Sequence, residues 1–256
     1  MRTIFSLMIF SMKENIKTKI YLILSIFSIL MIFVSLLLTG LSGFEQPQRI
    51  LVNTGIAMIE LFCLVVILLN SAGLLLQDIE TKSIYLALSK PVSREKYILG
   101  KYLGLITITL FNLVIMSGIH LIFIKISRWY VDSKYFLTLF TIFLKIGLIS
   151  SVSLFMIITM TSQTSAVVTS LLLWIVGHFT SEIDFIINKI SSLILRIVLK
   201  TIFYIIPNFQ YFNIKDYFDS HYFVSKINFG LGILYWFVYN IMMIILTVYV
   251  FKNKDL

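Results

Sequence analysis

Two charged residues stand inside otherwise apolar stretches, Glu60 in Ile-Glu-Leu-Phe-Cys-Leu and Lys145 in Phe-Leu-Lys-Ile-Gly-Leu. An ionised side chain in hydrocarbon costs about 3 kcal/mol on insertion scales, so each needs a partner, a wet surrounding or an escape to the interface. Three arrangements are open. The two pair with each other; Glu60 is protonated or meets a wet cavity while Lys145 snorkels; or both belong to a translocation path. Counted from Ile50 and Phe136, where their apolar runs begin, both lie roughly 14 to 15 Å deep at about 1.5 Å of helical rise per residue.

Other residue types with chemical capacity are scattered. His120, His178 and His221 are far apart in sequence, with no His-Glu-x-x-His spacing and no Cys-x-x-Cys pair, so no metal site is expected. Cys63 is the only cysteine and excludes an internal disulfide. Ser150, Ser151 and Ser153 have no evident base partner, which leaves an intramembrane enzyme as a minor alternative, and hydroxyl residues are ordinary packing residues in lipid. Asn112, His120 and Asn240 lie within apolar runs and read as interhelical hydrogen-bond partners. The phosphate-cradling Gly-x-x-x-x-Gly-Lys-Ser/Thr pattern is missing, so no catalytic residue and no cofactor is expected on this chain.

The elements that carry these residues follow from composition. Of 256 residues, 59% are hydrophobic and 13% charged, and mean hydropathy is +0.98, too little polar surface to coat a soluble globule. The expected fold is an all-α integral membrane protein of six spans, since a crossing takes about 20 apolar residues. The runs are about Ile20 to Leu41, Ile50 to Leu76, Tyr102 to Ile126, Phe136 to Met160, a shorter Ser165 to Thr180, and Asn228 to Phe251. Met1 to Lys19 places Ile4, Phe5, Met8, Ile9, Met12 and Ile16 at helical spacing among charges, which predicts an interfacial helix. A cleaved signal peptide competes, but Lys-Glu-Asn-Ile-Lys follows where small residues would be needed.

Residues 181 to 227 form an expected outer loop, in which Ile183 to Val198 repeats apolar residues at three- and four-residue steps and predicts a half-wet, non-crossing helix. The whole chain reads as a single transmembrane domain, leaving an ATPase or sensor to another polypeptide. A formal charge of +9 suits lysine and arginine flanking the spans better than nucleic-acid binding. With both termini cytoplasmic, Arg2, Lys13, Lys17, Lys19, the five basic residues from Lys82 to Lys101, Lys252 and Lys254 all fall inside, against Arg49, Lys125, Arg128 and Lys134 in the short outer links. Lysines and arginines of the long outer segment weaken that contrast.

The densest charge lies between the second and third runs, in Asp78-Ile79-Glu80-Thr81-Lys82-Ser83-Ile84-Tyr85 and on through Leu88-Ser89-Lys90-Pro91-Val92-Ser93-Arg94-Glu95-Lys96 to Leu99-Gly100-Lys101-Tyr102-Leu103-Gly104. It reads as two helices and a hinge. Ile84, Tyr85 and Leu88 make an apolar edge suited to a partner's groove. Pro91 ends the first helix, and Ser93 caps the second, which enters the membrane through Gly100 and Gly104, a small-residue pair that admits close helix approach. A solvated, positive-inside connection is the alternative reading of the same residues.

This segment resembles the first cytoplasmic loop of ABC-2 type permeases, and most closely the group labelled multicopper-enzyme maturation permeases. The likeness extends to the interfacial N-terminal helix, six spans, a short fifth span followed by non-crossing outer helices, and a charged tail. Lys82 departs from the common pattern. The resemblance implies a coupling helix docked on a cytoplasmic ABC ATPase, with Asp78, Glu80, Thr81, Pro91, Arg94, Gly100 and Lys101 at the matching positions, joined by Ile84 and Tyr85 from the apolar edge. It also implies a dimer with a second permease subunit, ATP bound by the partner subunit, export as the direction of transport, and a prokaryotic plasma or inner membrane. Two other classes stay open: a scaffold that recruits a cytoplasmic partner without transport, and a secondary transporter that uses Glu60 and Lys145.

Overall fold

The computed structural model describes residues 5, 8–9, 20–40, 47–80, 93–160, 162–190, 192–213 and 226–253. Among them all regular structure is helical, as a chain in lipid requires when every backbone group must be satisfied within its own segment. In chain order the helices are α1 (Ile20–Gly40), α2 (Pro47–Glu80), α3 (Arg94–Ile126), α4 (Ser133–Thr159), α5 (Gln163–His178), α6 (Thr180–Lys189), α7 (Leu193–Ile205) and α8 (Lys226–Asn253), with a 3-10 turn at Phe209–Phe212 before α8. The expected interfacial helix at Met1 to Lys19 lies almost wholly outside the described residues.

Among the described residues four helices, α2, α3, α4 and α8, are long and apolar enough to cross a membrane, and the α5–α6 pair makes a fifth if its two bent halves count as one span. A shorter apolar stretch, Ile23–Val34, belongs to α1. The chain therefore has the build of a multi-pass membrane protein. Both helices flanking the charged break outrun their apolar runs, α2 reaching Glu80 and α3 starting at Arg94, because backbone hydrogen bonding continues where hydrocarbon ends.

Helix starts obey local chemistry. Ser93, Asp132 and Ser162 accept from the backbone N–H of Lys96, Lys134 and Ser165 at 3.4, 3.3 and 3.2 Å, capping α3, α4 and α5. The end of α3 is less comfortable. Arg128 adopts φ 58°, in the left-handed region, while Arg128 N–H bonds to Lys125 and Trp129 N–H to Ile124. That is the helix-ending pattern which glycine ordinarily serves.

α4 is the centre of the bundle: 83% of its apolar window is buried against 28% for α8, and α2, α3, α5 and α8 all pack on it. The hydroxyls of Ser150, Ser151 and Ser153 donate to carbonyls of Ile146, Leu148 and Ser150 within the same helix, so their polarity is absorbed locally. Gly147 makes room for the Trp236 indole of α8, which donates to the Leu144 carbonyl at 2.8 Å. Gly55 of α2 does the same for His120 of α3: a Cβ there would stand 2.1 Å from the ring Nε2.

The segment after α5 differs from the single amphipathic helix expected over Ile183 to Val198. The chain breaks at Ile190 to Ser192 into α6 and α7, and Arg196 turns back to donate to the Ile190 carbonyl at 2.7 Å. α7 has no buried residue, and its apolar side chains, including Leu193, Ile194, Ile197 and Ile205, are exposed among Arg196 and Lys200. α6 turns from α5 by 63° at Phe179.

Candidate functional site

Two places hold chemistry, one inside the bundle and one at the charged break. Inside, Glu60 of α2 and Lys145 of α4 form an ion pair with Nζ 2.9 Å from Oε1. Both charges face the interior of the bundle, and the two side chains are 11% and 8% exposed. Burial removes water from both, so the attraction is felt at low dielectric, and removal of either partner would strand the other.

A third ionisable group joins them. His178, the last residue of α5, brings Nε2 to 3.5 Å from the same Glu60 oxygen, and its side chain is 29% exposed. Its Nδ1 lies 2.9 Å from the Trp174 carbonyl, and its ring is flanked by Trp174 and Phe209 at centroid distances of 4.4 and 4.9 Å. Sequence spacing had no means of linking His178 to Glu60, since the contact is made by tertiary packing of α5 on α2.

The corner that carries His178 is clasped by the segment that follows α7. Gln210 donates to the His178 carbonyl at 2.6 Å, Thr180 donates to Asn208 at 2.8 Å, and the Asn208 N–H donates to the Tyr235 hydroxyl of α8 at 2.9 Å. Gly177 is required where this strap crosses, because a Cβ would stand 2.4 Å from the Pro207 carbonyl oxygen.

At the charged break, Thr81, Ile84, Tyr85 and Pro91 lie outside the described residues. Asp78 and Glu80 fall in the last turn of α2. Arg94 is half-buried and donates to the carbonyls of Phe251 and Lys252 at 3.0 and 2.8 Å, while Lys252 bonds to Glu95. Gly100 and Lys101 are both buried, with the Lys101 ammonium 5.6 Å from the Tyr97 ring centroid, and Tyr97 stacked on Phe251 at 5.9 Å. The start of α3 is thus fastened to the end of α8.

The polar residues within spans are engaged between helices or along their own. Asn240 accepts from the Tyr102 hydroxyl at 3.0 Å, joining α8 to α3, and His120 Nδ1 lies 3.0 Å from the Tyr135 hydroxyl of α4. Asn112 donates to Ile108 in its own turn. Cys63 is buried, 3.8 Å from the Met116 sulfur, and His221 lies outside the described residues. No protein-family model matches the chain, and no curated protein is significantly similar to it.

Proposed function

We propose that the chain is the membrane-spanning permease subunit of an ABC transporter, working as an exporter in a dimer with a second permease subunit. In this reading ATP is bound and hydrolysed by a separate cytoplasmic ATPase. The segment from Gln77 to Lys101 transmits ATPase closure to the spans, of which there are six, with both termini cytoplasmic in a prokaryotic plasma or inner membrane.

The observation that carries the reading is the character of that break. Two long helices project charged ends beyond their apolar runs, and the residues between them follow the order seen in ABC-2 type coupling loops. Arg94 and Lys252–Glu95 fasten the base of the loop to the last span, so a push on the loop reaches α3 and α8 together. Asp78, Glu80, Thr81, Ile84, Tyr85 and Pro91 then make the docking surface, while Arg94, Gly100 and Lys101 hold its root.

The test is co-purification. The full chain, extracted mildly from its source membrane, brings an ABC ATPase with it, and Glu80→Arg releases that ATPase while leaving the chain folded. Recovery of the intact chain without any ATPase would sink the proposal.

A second reading, a secondary transporter, draws on the Glu60, Lys145 and His178 cluster, since intramembrane ionisable groups commonly mark ion or substrate paths. Transport in vesicles that needs an ion gradient and no ATP would favour it.

A further inference from the structure

We propose that Glu60, Lys145 and His178 form a proton-binding site at the α5–α6 bend, where gain or loss of one proton on His178 Nε2 fastens or releases the corner. The inference stands apart from whichever energy source drives transport.

Hydrogen-bond capacity leads to it. The Trp174 carbonyl 2.9 Å from His178 Nδ1 can only accept, so Nδ1 carries a hydrogen. A neutral ring in that tautomer has only a lone pair on Nε2, 3.5 Å from the Glu60 oxygen, and two acceptors at that distance repel. A proton between them removes the repulsion. Lys145 donates to the same carboxylate oxygen at 2.9 Å, so that oxygen is already serving as an acceptor, which leaves Nε2 as the place for that proton.

The surroundings agree. Trp174 and Phe209 flank the ring, and aromatic faces attract an imidazolium. The strap contributes uncharged groups there, Phe209 and Gln210. From α6 comes Glu182, whose carboxylate accepts the Ser181 hydroxyl. His178 is the most exposed of the three members at 29%, so it is the one through which a proton enters. With the proton bound the cluster carries one net positive charge; without it Glu60 and Lys145 neutralise each other.

Position turns this into a device. His178 ends α5, and the chain bends by 63° immediately beyond it. Protonated, the ring pins the corner to α2 and α4 through Glu60. Deprotonated, it is repelled, and α6 with the Pro207 to Phe212 strap moves off.

The experiment uses the full chain in phospholipid nanodiscs, with the Trp174 emission taken as the difference from Trp174→Phe. An imidazolium quenches a neighbouring indole, so emission rises with pH in a single-proton step. Spin labels on cysteines at Val168 and Phe185, in a Cys63→Ala background, report the bend, and their separation changes over the same pH interval. Both changes are lost in His178→Gln, and Glu60→Gln moves or abolishes them. If His178→Gln does not fold, the labelled chain with His178 intact and Glu60→Gln decide. Constant emission, a constant label separation, or changes that persist unaltered in either variant would each overturn the proposal.

Discussion

Arg94 donates to the Phe251 carbonyl at 3.0 Å and sets its guanidinium 5.8 Å from the centroid of the same residue's ring. One side chain therefore satisfies an orphan acceptor at the C-terminus of α8 and covers its last aromatic residue. Arg94→Met should lower stability by about 2 kcal/mol, the scale of a hydrogen bond to a charged group, and Arg94→Lys should recover part of that. Thermal unfolding in detergent micelles measures both. An Arg94→Met chain that is equally stable yet loses the proposed ATPase partner would instead make Arg94 a docking residue.

The Glu60–Lys145 pair predicts strong non-additivity. Glu60→Met alone should cost about 3 kcal/mol or more, because it leaves the buried Lys145 without its counter-ion, and Lys145→Met should cost less, because His178 still stands beside Glu60. The double substitution should be far less damaging than the sum. A double-mutant cycle by denaturant titration in bicelles supplies the coupling energy, and a value near zero would mean that the contact carries no weight.

Glycines separate by what stands opposite them. Gly55→Ala drives a methyl into His120, whose ring is held by Tyr135, and should cost about 1–3 kcal/mol as overpacking does. Gly118→Ala meets nothing within 4 Å in the middle of α3, and should be neutral or stabilising by up to about 1 kcal/mol. Unfolding midpoints of the pair, compared in one lipid mixture, test the contrast.

Arg128 occupies a left-handed position that costs a side chain about 1 kcal/mol. Arg128→Gly should raise stability by about that amount without altering the fold. An unchanged or lower unfolding temperature would show that the Arg128 side chain holds a contact worth as much as the strain.

Sidedness can be tested with single cysteines, because Cys63 is buried and silent to polar thiol reagents. The Arg94 contacts bring Ser93 and Lys252 to one end of the bundle, and Gln48 donates to the Tyr130 carbonyl at 2.8 Å at the α2–α3 end away from the charged break. Cysteines at Ser93 and Lys252 should label from one membrane face, and those at Gln48 and Tyr130 from the other. Labelling of Ser93 and Lys252 from opposite faces would contradict the arrangement.

Long apolar runs were enough to find α2, α3, α4 and α8, since a crossing needs length and composition before it needs partners, whereas six spans go beyond the four or five helices among the described residues that are long and apolar enough to cross. Ser93 was readable as a cap for the same reason: its chemistry is local. Glu60 and Lys145 were readable as residues in need of a partner, but their meeting depends on how α2 packs on α4. His178 was out of reach because its contact with Glu60 is made by the packing of α5 on α2, which spacing along the chain does not carry. The division of the segment after α5 into α6 and α7 was equally hidden, since apolar periodicity runs on from Lys189 to Leu193 while neither helix covers both.

The unequal sheathing of the spans has a mechanical consequence. α4 is surrounded by protein, whereas α8 shows most of its apolar window to the outside. Bilayer thickness acts on a helix through the lipids that touch it, so thinning or thickening the membrane loads α8 and leaves α4 nearly untouched. Mismatch would then tilt the periphery about a stationary axle, and the fastening at Arg94 would carry that tilt to the charged break.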